Sequence, residues 1–484
     1  MKRFMRFIAP AVALLAAISL TSGTATTPAV VKAQARSAQD NKYAAAIDSL
    51  ESMIRAEMAD KQLPALSIAL VDDQHIVWAK GFGYQDPDNK IAATAQTVYR
   101  VGSVSKLFTD IAVMQLVEQG KLDLNAPVST YIPEFHPENP FDKPITLREL
   151  MSHRSGLVRE PPAGHYFDPT EPSLEQTVLS LNRTRLVYQP GTHTKYSNAG
   201  VATVGYVLQR VTGHPFAEYV KKAVLEPLGM KDSAFRPEPA LAKNLAKAYM
   251  WSYDGRTFEA PKFQLGMAPA GSMYSTVTDL GRFLSALFAE GRARGGQIVK
   301  PETLRQMWTP QFQANGKTGY GIGFGISELD GHRRIGHGGA IYGFATILSG
   351  LPEEKLGVVA VTTVDGANAV VNHISQQALQ LMLATRENKP LPEIKMTAPV
   401  PVEDAGRLEG RYSDGSTMIE LTKENGHLYL SDLAGGERTE IKRQGDSLIT
   451  DGRLGYGSHI TTTDDGIEWN GKKLRRDSGA NLKP

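Results

Sequence analysis

Apolar residues alternate with polar ones at two different periods near the start of the chain. Between residues 41 and 61 they recur every three or four positions, which predicts an amphipathic helix that ends before Pro64. Apolar runs at 66–71 and 75–80 follow, separated by the polar turn Asp72-Asp73-Gln74. These runs predict two antiparallel strands joined as a hairpin.

Helical signals dominate the next part of the chain. A strongly apolar helix is predicted over 103–120. From 127 to 240 the pattern is helical with many loops, and Thr146 and Glu149 have the spacing of a capping box. A further apolar helix is predicted over 201–211. This part of the chain therefore predicts a mostly helical subdomain.

Strand patterns return in the second half of the chain. Apolar, glycine-containing runs at 320–326, 334–348 and 356–363 are typical of sheet strands, and helices are predicted at 280–289 and 369–383. Together with the opening hairpin they predict an α+β fold. In this fold an antiparallel sheet is flanked by helices and joined to the helical subdomain.

The composition changes after residue 386. Four prolines stiffen residues 387–402, which are predicted to link the domain at 36–386 to the rest of the chain. In 403–484, short strands alternate with turns of Gly, Asp and Asn. That pattern predicts a small all-β domain, either a barrel or a sandwich.

The N-terminus carries a targeting pattern. Basic residues precede an apolar run over 10–20, which is shorter than a bilayer core requires. We interpret residues 1–35 as a secretory signal and expect a periplasmic or secreted protein with no stable membrane span after cleavage. An uncleaved anchor is the alternative interpretation.

Charge and cysteine content narrow the function classes. The chain has 484 residues and a formal net charge of +2, but removal of residues 1–35 leaves 49 basic and 51 acidic residues. This balance gives no support to nucleic-acid binding. The absence of cysteine excludes disulfides, thiol nucleophiles and thiolate metal sites.

The first candidate for chemistry is Ser103-Val-Ser-Lys106. Residues three apart share a helix face, so the Ser103 hydroxyl and the Lys106 amine are expected to point into the same space. A serine hydroxyl becomes a good nucleophile when a base takes its proton, and a lysine is such a base when burial keeps it neutral. The pattern is short, and by itself it is more often structural than catalytic.

Two further motifs accompany it. Tyr196-Ser-Asn198 lies in a polar Pro/Gly loop, where Tyr196 could exchange a proton with a leaving group and Asn198 could orient a substrate or the lysine. A turn tyrosine beside a helix-capping asparagine is the alternative. His337-Gly338-Gly339 lies in a predicted strand, where glycines can allow the close approach of a ligand. The alternative is a packed histidine beside glycines that only relieve crowding. His153, just after a predicted helix end, is more often a structural residue.

With these three motifs in this order, residues 43–383 resemble the serine penicillin-recognising hydrolases. The similarity is greatest to the branch with class C β-lactamases, D-aminopeptidases, low-molecular-weight carboxypeptidases and related esterases. The resemblance implies a β-lactamase-like fold with the site between the sheet and the helical subdomain, and no metal or organic cofactor. The C-terminal domain resembles the lipocalin-like modules of some of these hydrolases.

The resemblance also implies a role for each site residue. Ser103 is expected to be acylated, with Lys106 and Tyr196 moving protons. The substrate-binding residues implied by the resemblance are Asn198, His337, Gly338, Gly339 and Ala340, and the backbone N–H groups of Ser103 and Ala340 are expected to form an oxyanion hole.

The third motif departs from the Lys-Thr-Gly usual in this branch's β-lactamases, which argues against efficient β-lactam hydrolysis. A literal Lys317-Thr-Gly occurs earlier, and we interpret it as a decoy. The expected function is an exported serine hydrolase acting on an ester, a D-amino-acid amide or a peptidoglycan-type peptide. The alternative is a penicillin-binding-like sensor or scaffold without turnover. The sequence leaves the oligomeric state open.

Overall fold

A computed structural model describes residues 42–252, 256–312, 316–435 and 438–477. The predicted signal segment at 1–35 lies outside these residues. Every helix in the described part of the chain is too short or too polar to cross a membrane.

The first domain alternates strands and helices. Its strands are β1 Ala65–Asp72, β2 His75–Asp86, β3 Ile91–Ala92, β4 Tyr99–Arg100, β5 Tyr249–Trp251, β6 Thr257–Glu259, β7 Tyr274–Ser275, β8 Arg292–Ala293, β9 Gly296–Gln297, β10 Gly319–Tyr320, β11 Gly325–Leu329, β12 His332–Ile341, β13 Phe344–Leu351 and β14 Leu356–Thr362. Its α-helices are α1 Ala44–Asp60, α2 Ser105–Glu118, α3 Leu147–Met151, α4 Leu174–Leu179, α5 Asn198–Thr212, α6 Phe216–Val220, α7 Glu226–Leu228, α8 Pro239–Ala242, α9 Ala268–Gly271, α10 Val277–Phe288, α11 Pro301–Met307 and α12 Asn368–Arg386.

Eight of these strands form the main sheet, in the order β10-β11-β12-β13-β14-β1-β2-β3, and all of its pairings are antiparallel. Strands β1 and β14 are buried along their whole length because helices cover both faces. On β1, Ala69 and Val71 join the core that contains α10, whereas Ile68 and Leu70 join the core formed with α1 and α12. The predicted α+β fold is confirmed.

The helical subdomain lies against the α10 face of the sheet. Helices α2 and α5 contact each other and α9, and their apolar residues belong to the same core as α10. The predicted capping box is present, because Thr146 caps α3 and Glu149 closes the reciprocal bond.

Two local predictions differ from the structure. The run 320–326 is not one strand, because residues 321–324 leave the sheet between β10 and β11. The helix expected from residue 103 starts at Ser105, after a 3₁₀ turn over Gly102–Val104. This turn gives Ser103 a backbone position just before the helix.

The C-terminal domain is a closed barrel. Its elements are β15 Ala398–Pro399, α13 Val402–Leu408, β16 Gly410–Ser413, β17 Met418–Glu424, β18 His427–Asp432, β19 Arg438–Gln444, β20 Ser447–Asp451, β21 Tyr456–Thr463, β22 Gly466–Trp469 and β23 Lys472–Arg476. Each strand from β16 onward pairs with the next, and β23 pairs with β16. Apolar side chains fill the interior. Of the two predicted architectures, the barrel is therefore the one present.

The proline-rich segment between the domains is attached to both of them. Leu391 and Ile394 pack against the core formed by α1 and α12. Strand β15 pairs with β19 of the barrel. The segment 387–402 thus fixes the barrel against the first domain.

Buried charges lie at the contact between the barrel and α1. Lys61 Nζ lies 2.9 Å from Glu57, 2.7 Å from Asp60 and 2.7 Å from Asp451 of the barrel. The side chains of Lys61 and Asp451 are 5% and 1% exposed. Lys442 of the barrel also pairs with Asp60. Because these ions have left water, each depends on its partners for solvation.

Replacing Lys61 with methionine tests this contact. Lys61→Met leaves Glu57 and Asp451 as buried carboxylates without their ammonium, so we expect the free energy of unfolding to fall by about 3 to 5 kcal/mol. The measurement is the midpoint of denaturant unfolding, monitored by circular dichroism. Asp465→Ala is the control, because the Arg475–Asp465 pair is 84% and 68% exposed and is worth about 1 kcal/mol or less. Equal effects of the two substitutions would contradict the assignment.

Candidate active site

A tight backbone turn presents Ser103. Gly102 has φ +53°, a conformation that residues with a Cβ rarely adopt. Ser105 holds this turn, because its Oγ donates to the Gly102 carbonyl at 2.6 Å and accepts from the Met273 N–H at 3.0 Å. The turn places the Ser103 side chain, which is largely buried, at the N-terminal end of α2.

Lys106 lies in the first turn of α2 and is buried. Its Nζ is 3.0 Å from Ser103 Oγ, 2.7 Å from Asn198 Oδ1 and 2.6 Å from the Ala270 carbonyl oxygen. A neutral amine has two N–H donors and one lone pair. The Asn198 and Ala270 oxygens accept only, so they take the two donors and leave the lone pair facing the Ser103 hydroxyl.

Burial favours this neutral form. Loss of hydration lowers the pKa of Lys106 to about 7, against the opposing attraction of Glu160 and Asp110. Asp110 is itself completely buried, and burial raises the pKa of its carboxyl far above the usual range. The attraction of Asp110 for the ammonium weakens as its carboxyl becomes protonated, which favours the neutral amine further. Near pH 7, Lys106 is therefore balanced between base and acid.

A hydrogen-bond chain orients the Asn198 amide. Asn198 Nδ2 donates to Glu160 Oε1 at 2.7 Å, which turns Oδ1 toward Lys106. The alternative capping role belongs to the preceding residue, because Ser197 Oγ accepts from the Gly200 N–H at the start of α5. Asn198 is thus free to contact the lysine.

Tyr196 lies beside the Ser–Lys pair. Its ring centroid is 4.9 Å from Lys106 Nζ, and the neighbouring Ser103 hydroxyl partly offsets the effect of burial on the pKa of the phenol. Burial raises the pKa of Tyr196, so the phenol is protonated at neutral pH. His153 stacks on the ring at 4.3 Å and accepts from the Ser197 N–H through Nδ1. His153 therefore has the structural role that its position predicts.

His337 faces the same site from β12. Its ring centroid lies 6.1 Å from that of Tyr196. Nδ1 is 2.5 Å from the Gly338 carbonyl oxygen, so Nδ1 carries the hydrogen, and Nε2 is buried with no partner among the described residues. Burial lowers the pKa of His337 to about 4. The neutral ring therefore presents an acceptor at Nε2.

The edge of β12 runs against the Ser103 turn. Strand β11 pairs with β12 only as far as Gly336, so residues 337–341 leave that edge uncovered. A Cβ on Gly339 would lie 2.1 Å from the Val101 carbonyl oxygen, and one on Gly102 would lie 2.7 Å from the Ala340 nitrogen. The absence of both side chains lets the two backbones meet. The Ser103 and Ala340 peptides are consequently neighbours.

The structure brings all eight predicted site residues into one region, where Gly338 contributes only its backbone carbonyl to His337. Lys317 is 76% exposed and lies 3.9 Å from Glu328, consistent with its interpretation as a decoy. The described residues contain no cluster of three or more metal-ligating side chains.

Sequence reasoning missed two side chains at the site. Glu160 follows Arg159 in a loop, and Tyr166 donates from its hydroxyl to the Ala340 carbonyl at 3.1 Å. Neither belongs to a recognisable motif. The only signal was the Pro161-Pro162 pair, which marks a loop of the kind that often carries site residues.

Residues 50–381, more than half of the chain, match the family described as Beta-lactamase. The chain belongs to the beta-lactamase family. The matched stretch contains every site residue described above.

Two relatives of this beta-lactamase-family chain are similar to it over two thirds or more of its length. Teichoic acid D-alanine hydrolase of Staphylococcus aureus (strain MRSA252) is 28% identical over 325 residues, which are 67% of this chain and 75% of that protein. The octameric penicillin-binding protein homologue from Pyrococcus abyssi matches with a TM-score of 0.66 and 27% identity, covering 89% of this chain and 99% of that one.

D-amino acid amidase from Ochrobactrum anthropi SV3 shares the fold, with a TM-score of 0.59, 23% identity and coverage of 70% of this chain and 99% of that one. The family match and the similarity to the teichoic acid D-alanine hydrolase make this protein a serine hydrolase of the beta-lactamase family.

The lysine environment gives a direct test. Asn198→Asp places a carboxylate where an amide oxygen lies 2.7 Å from Lys106 Nζ. A nearby negative charge stabilises the ammonium, so the pKa of Lys106 should rise by about 1 or more above its wild-type value near 7. The measurement is a pH titration by NMR after reductive ¹³C-methylation, with Lys106→Met identifying the signal. The barrel-turn variant Asn425→Asp is the matched control. An unchanged titration in Asn198→Asp would refute the described contact.

Proposed function

We propose that this protein is an exported acyl-enzyme hydrolase that cleaves D-aminoacyl esters or amides, with Ser103 as nucleophile and Lys106 as base. One observation carries the proposal. The Lys106 amine lies 3.0 Å from Ser103 Oγ while two oxygen acceptors occupy its other hydrogen-bonding directions. This arrangement leaves the amine one task, which is to exchange a proton with the serine.

The reaction has two balanced halves. Ser103 Oγ bonds to the substrate carbonyl carbon as its proton passes to Lys106. The C–O or C–N bond to the leaving group then breaks, and the leaving group takes a proton from Lys106, relayed by the Tyr196 hydroxyl. Water then loses a proton to Lys106 and its oxygen bonds to the acyl carbon. As the ester C–O bond breaks, Ser103 Oγ takes that proton back from Lys106 and the acid is released.

The oxyanion of each tetrahedral intermediate lies between two backbone donors. The N–H groups of Ser103 and Ala340 come from the two backbones that Gly102 and Gly339 allow to approach. Fixed backbone donors need little reorganisation when charge develops on the oxygen, which is why such donors lower the barrier.

The acceptors around the site favour a substrate with an ammonium or N–H group. Glu160 Oε2 has no hydrogen-bond partner among the described residues, and the side chain is 29% exposed. Burial raises the pKa of Glu160, so an incoming ammonium would stabilise its charged form. His337 Nε2 is a second acceptor. The D configuration is suggested by the named D-alanine hydrolase and D-amino acid amidase.

A β-lactam fits this site less well. Its carboxylate would gain from a fixed positive charge on the third motif, but burial lowers the pKa of His337 to about 4, so the ring is neutral at pH 7. Slow turnover of nitrocefin is the corresponding expectation. Export is proposed on the targeting pattern of residues 1–35.

Labelling with a fluorophosphonate probe tests the nucleophile. We expect one adduct, at Ser103, with none in Ser103→Ala and unchanged labelling in Ser52→Ala, an exposed serine on α1. The rate should fall as the pH drops below about 7, because protonated Lys106 no longer accepts the serine proton. Mass spectrometry locates the adduct. Folded wild-type protein without an adduct would favour a non-catalytic binder.

A substrate panel tests the ammonium. For D-alanyl esters, Glu160→Gln removes the negative charge but keeps an acceptor for Asn198, so KM should rise about 10-fold. The N-acetyl-D-alanyl ester has no ammonium, so its KM should be nearly the same in wild type and in Glu160→Gln. Steady-state kinetics on both esters, on their L-enantiomers and on a D-alanyl-D-alanine peptide separate the substrate classes. Equal losses on both D-alanyl esters would exclude an ammonium contact.

A further inference from the structure

The Gly339–Ala340 peptide has a partner on its carbonyl side. Asn368, the first residue of α12, donates from Nδ2 to the Gly339 carbonyl oxygen at 2.8 Å. That carbonyl and the Ala340 N–H belong to one planar peptide unit. A hydrogen bond to the oxygen fixes the plane and polarises the N–H at its other end. Asn368 therefore contacts the peptide of the proposed oxyanion donor Ala340 on the side opposite its N–H.

The segment before Asn368 also grips the β12–β13 hairpin. Asp365 Oδ1 accepts from the N–H of Gly343, in the hairpin turn, at 3.2 Å. Trp251 Nε1 donates to the Asp365 carbonyl at 2.8 Å. Residues 365–368 thus hold the hairpin at two points, one on each side of Ala340 in sequence.

The barrel holds this segment from the other side. The turn between β20 and β21, residues 452–455, brings the Arg453 carbonyl to 3.3 Å from the Ala369 N–H. Leu454 packs so closely on Gly366 that a Cβ there would lie 2.9 Å from its Cδ2. Arg453 Nε donates to the Lys61 carbonyl at 2.9 Å, which ties the turn to the end of α1. Contacts therefore run from the barrel turn to the Gly339–Ala340 peptide.

We propose that Asn368 is a positioning residue for the oxyanion hole and that the barrel turn 452–455 keeps Asn368 in place. The barrel then contributes to the rate of acyl transfer without touching the substrate. This inference rests on the proposed function, because it requires Ala340 to be an oxyanion donor.

Asn368→Asp is the sharpest variant. It keeps the shape, and an acidic residue at the start of a helix is favourable to the helix, but a carboxylate oxygen cannot donate to the Gly339 carbonyl. We expect kcat to fall about 10-fold or more with KM within twofold of wild type, because the lost polarisation matters in the transition state. Asn372→Asp, an exposed position one turn along α12, is the matched control.

Two readouts separate positioning from general damage. Fluorophosphonate labelling should slow in Asn368→Asp by the same factor as kcat, and the pH at half-maximal labelling should stay unchanged because Lys106 is untouched. A kcat within twofold of wild type would overturn the proposal. So would a rise in KM at constant kcat, which would make Asn368 a substrate contact instead.

The barrel arm is tested with Leu454→Ala. We expect kcat to fall in Leu454→Ala, but by less than in Asn368→Asp. In a protein that already carries Asn368→Asp, adding Leu454→Ala should change kcat by less than twofold, since both substitutions act through the same contact. Leu433→Ala, an exposed barrel leucine, is the control. Additive effects would remove the barrel from the proposal.

If wild-type Ser103 is not labelled, the proposed function itself fails. If Ser103 is labelled but Asn368→Asp behaves as wild type, only this inference fails.

Discussion

The structure depends on one desolvated amine. Lys106 is surrounded by three parts of the chain that are distant in sequence: the Ser103 turn, the start of α5 and the carbonyl of Ala270 in α9. Burial lowers the pKa of Lys106 because the ammonium loses its hydration. A solvated lysine at this place would be protonated at neutral pH and could not accept a proton. The packing of the helical subdomain against the sheet is therefore a condition of the chemistry as well as of stability.

A second constraint is the distance between two backbones. Gly102 and Gly339 have no side chains where the turn and the strand edge cross, and a Cβ on either would meet the opposing backbone below 3 Å. An alanine at either position would push apart the Ser103 and Ala340 peptides, whose N–H groups, as the proposed oxyanion donors, must converge on a point about 3 Å away. The β12 edge is available for this contact because β11 ends its pairing at Gly336. Sheet termination and glycine placement thus act together.

Periodicity predicted most of the fold, and three short motifs indicated candidate site residues that the structure brings into one region, for identifiable reasons. Strands such as β1 are mostly apolar because both faces are covered, and helices such as α5 show one continuous apolar pattern. Ser103, Lys106, Tyr196 and His337 could be found because their chemistry needs particular residue types at fixed spacing. Glu160 and Tyr166 act through contacts that join loops, which no local spacing records. The tautomer of His337 depends on one carbonyl 2.5 Å away, which only coordinates reveal.

The barrel shows how a closed β-structure attaches to another domain. A closed barrel leaves no free strand edge for main-chain pairing, except where β15 adds to β19. Docking must therefore use side chains and turns. Buried ion pairs such as Lys61–Asp451 contribute little net stability compared with apolar packing, but they penalise every orientation that leaves a charge unpaired. They fix the angle at which the turn 452–455 meets residues 365–369. A purely apolar contact would tolerate sliding, whereas a contact that leads to the Gly339–Ala340 peptide, which carries a proposed oxyanion donor, requires a single orientation.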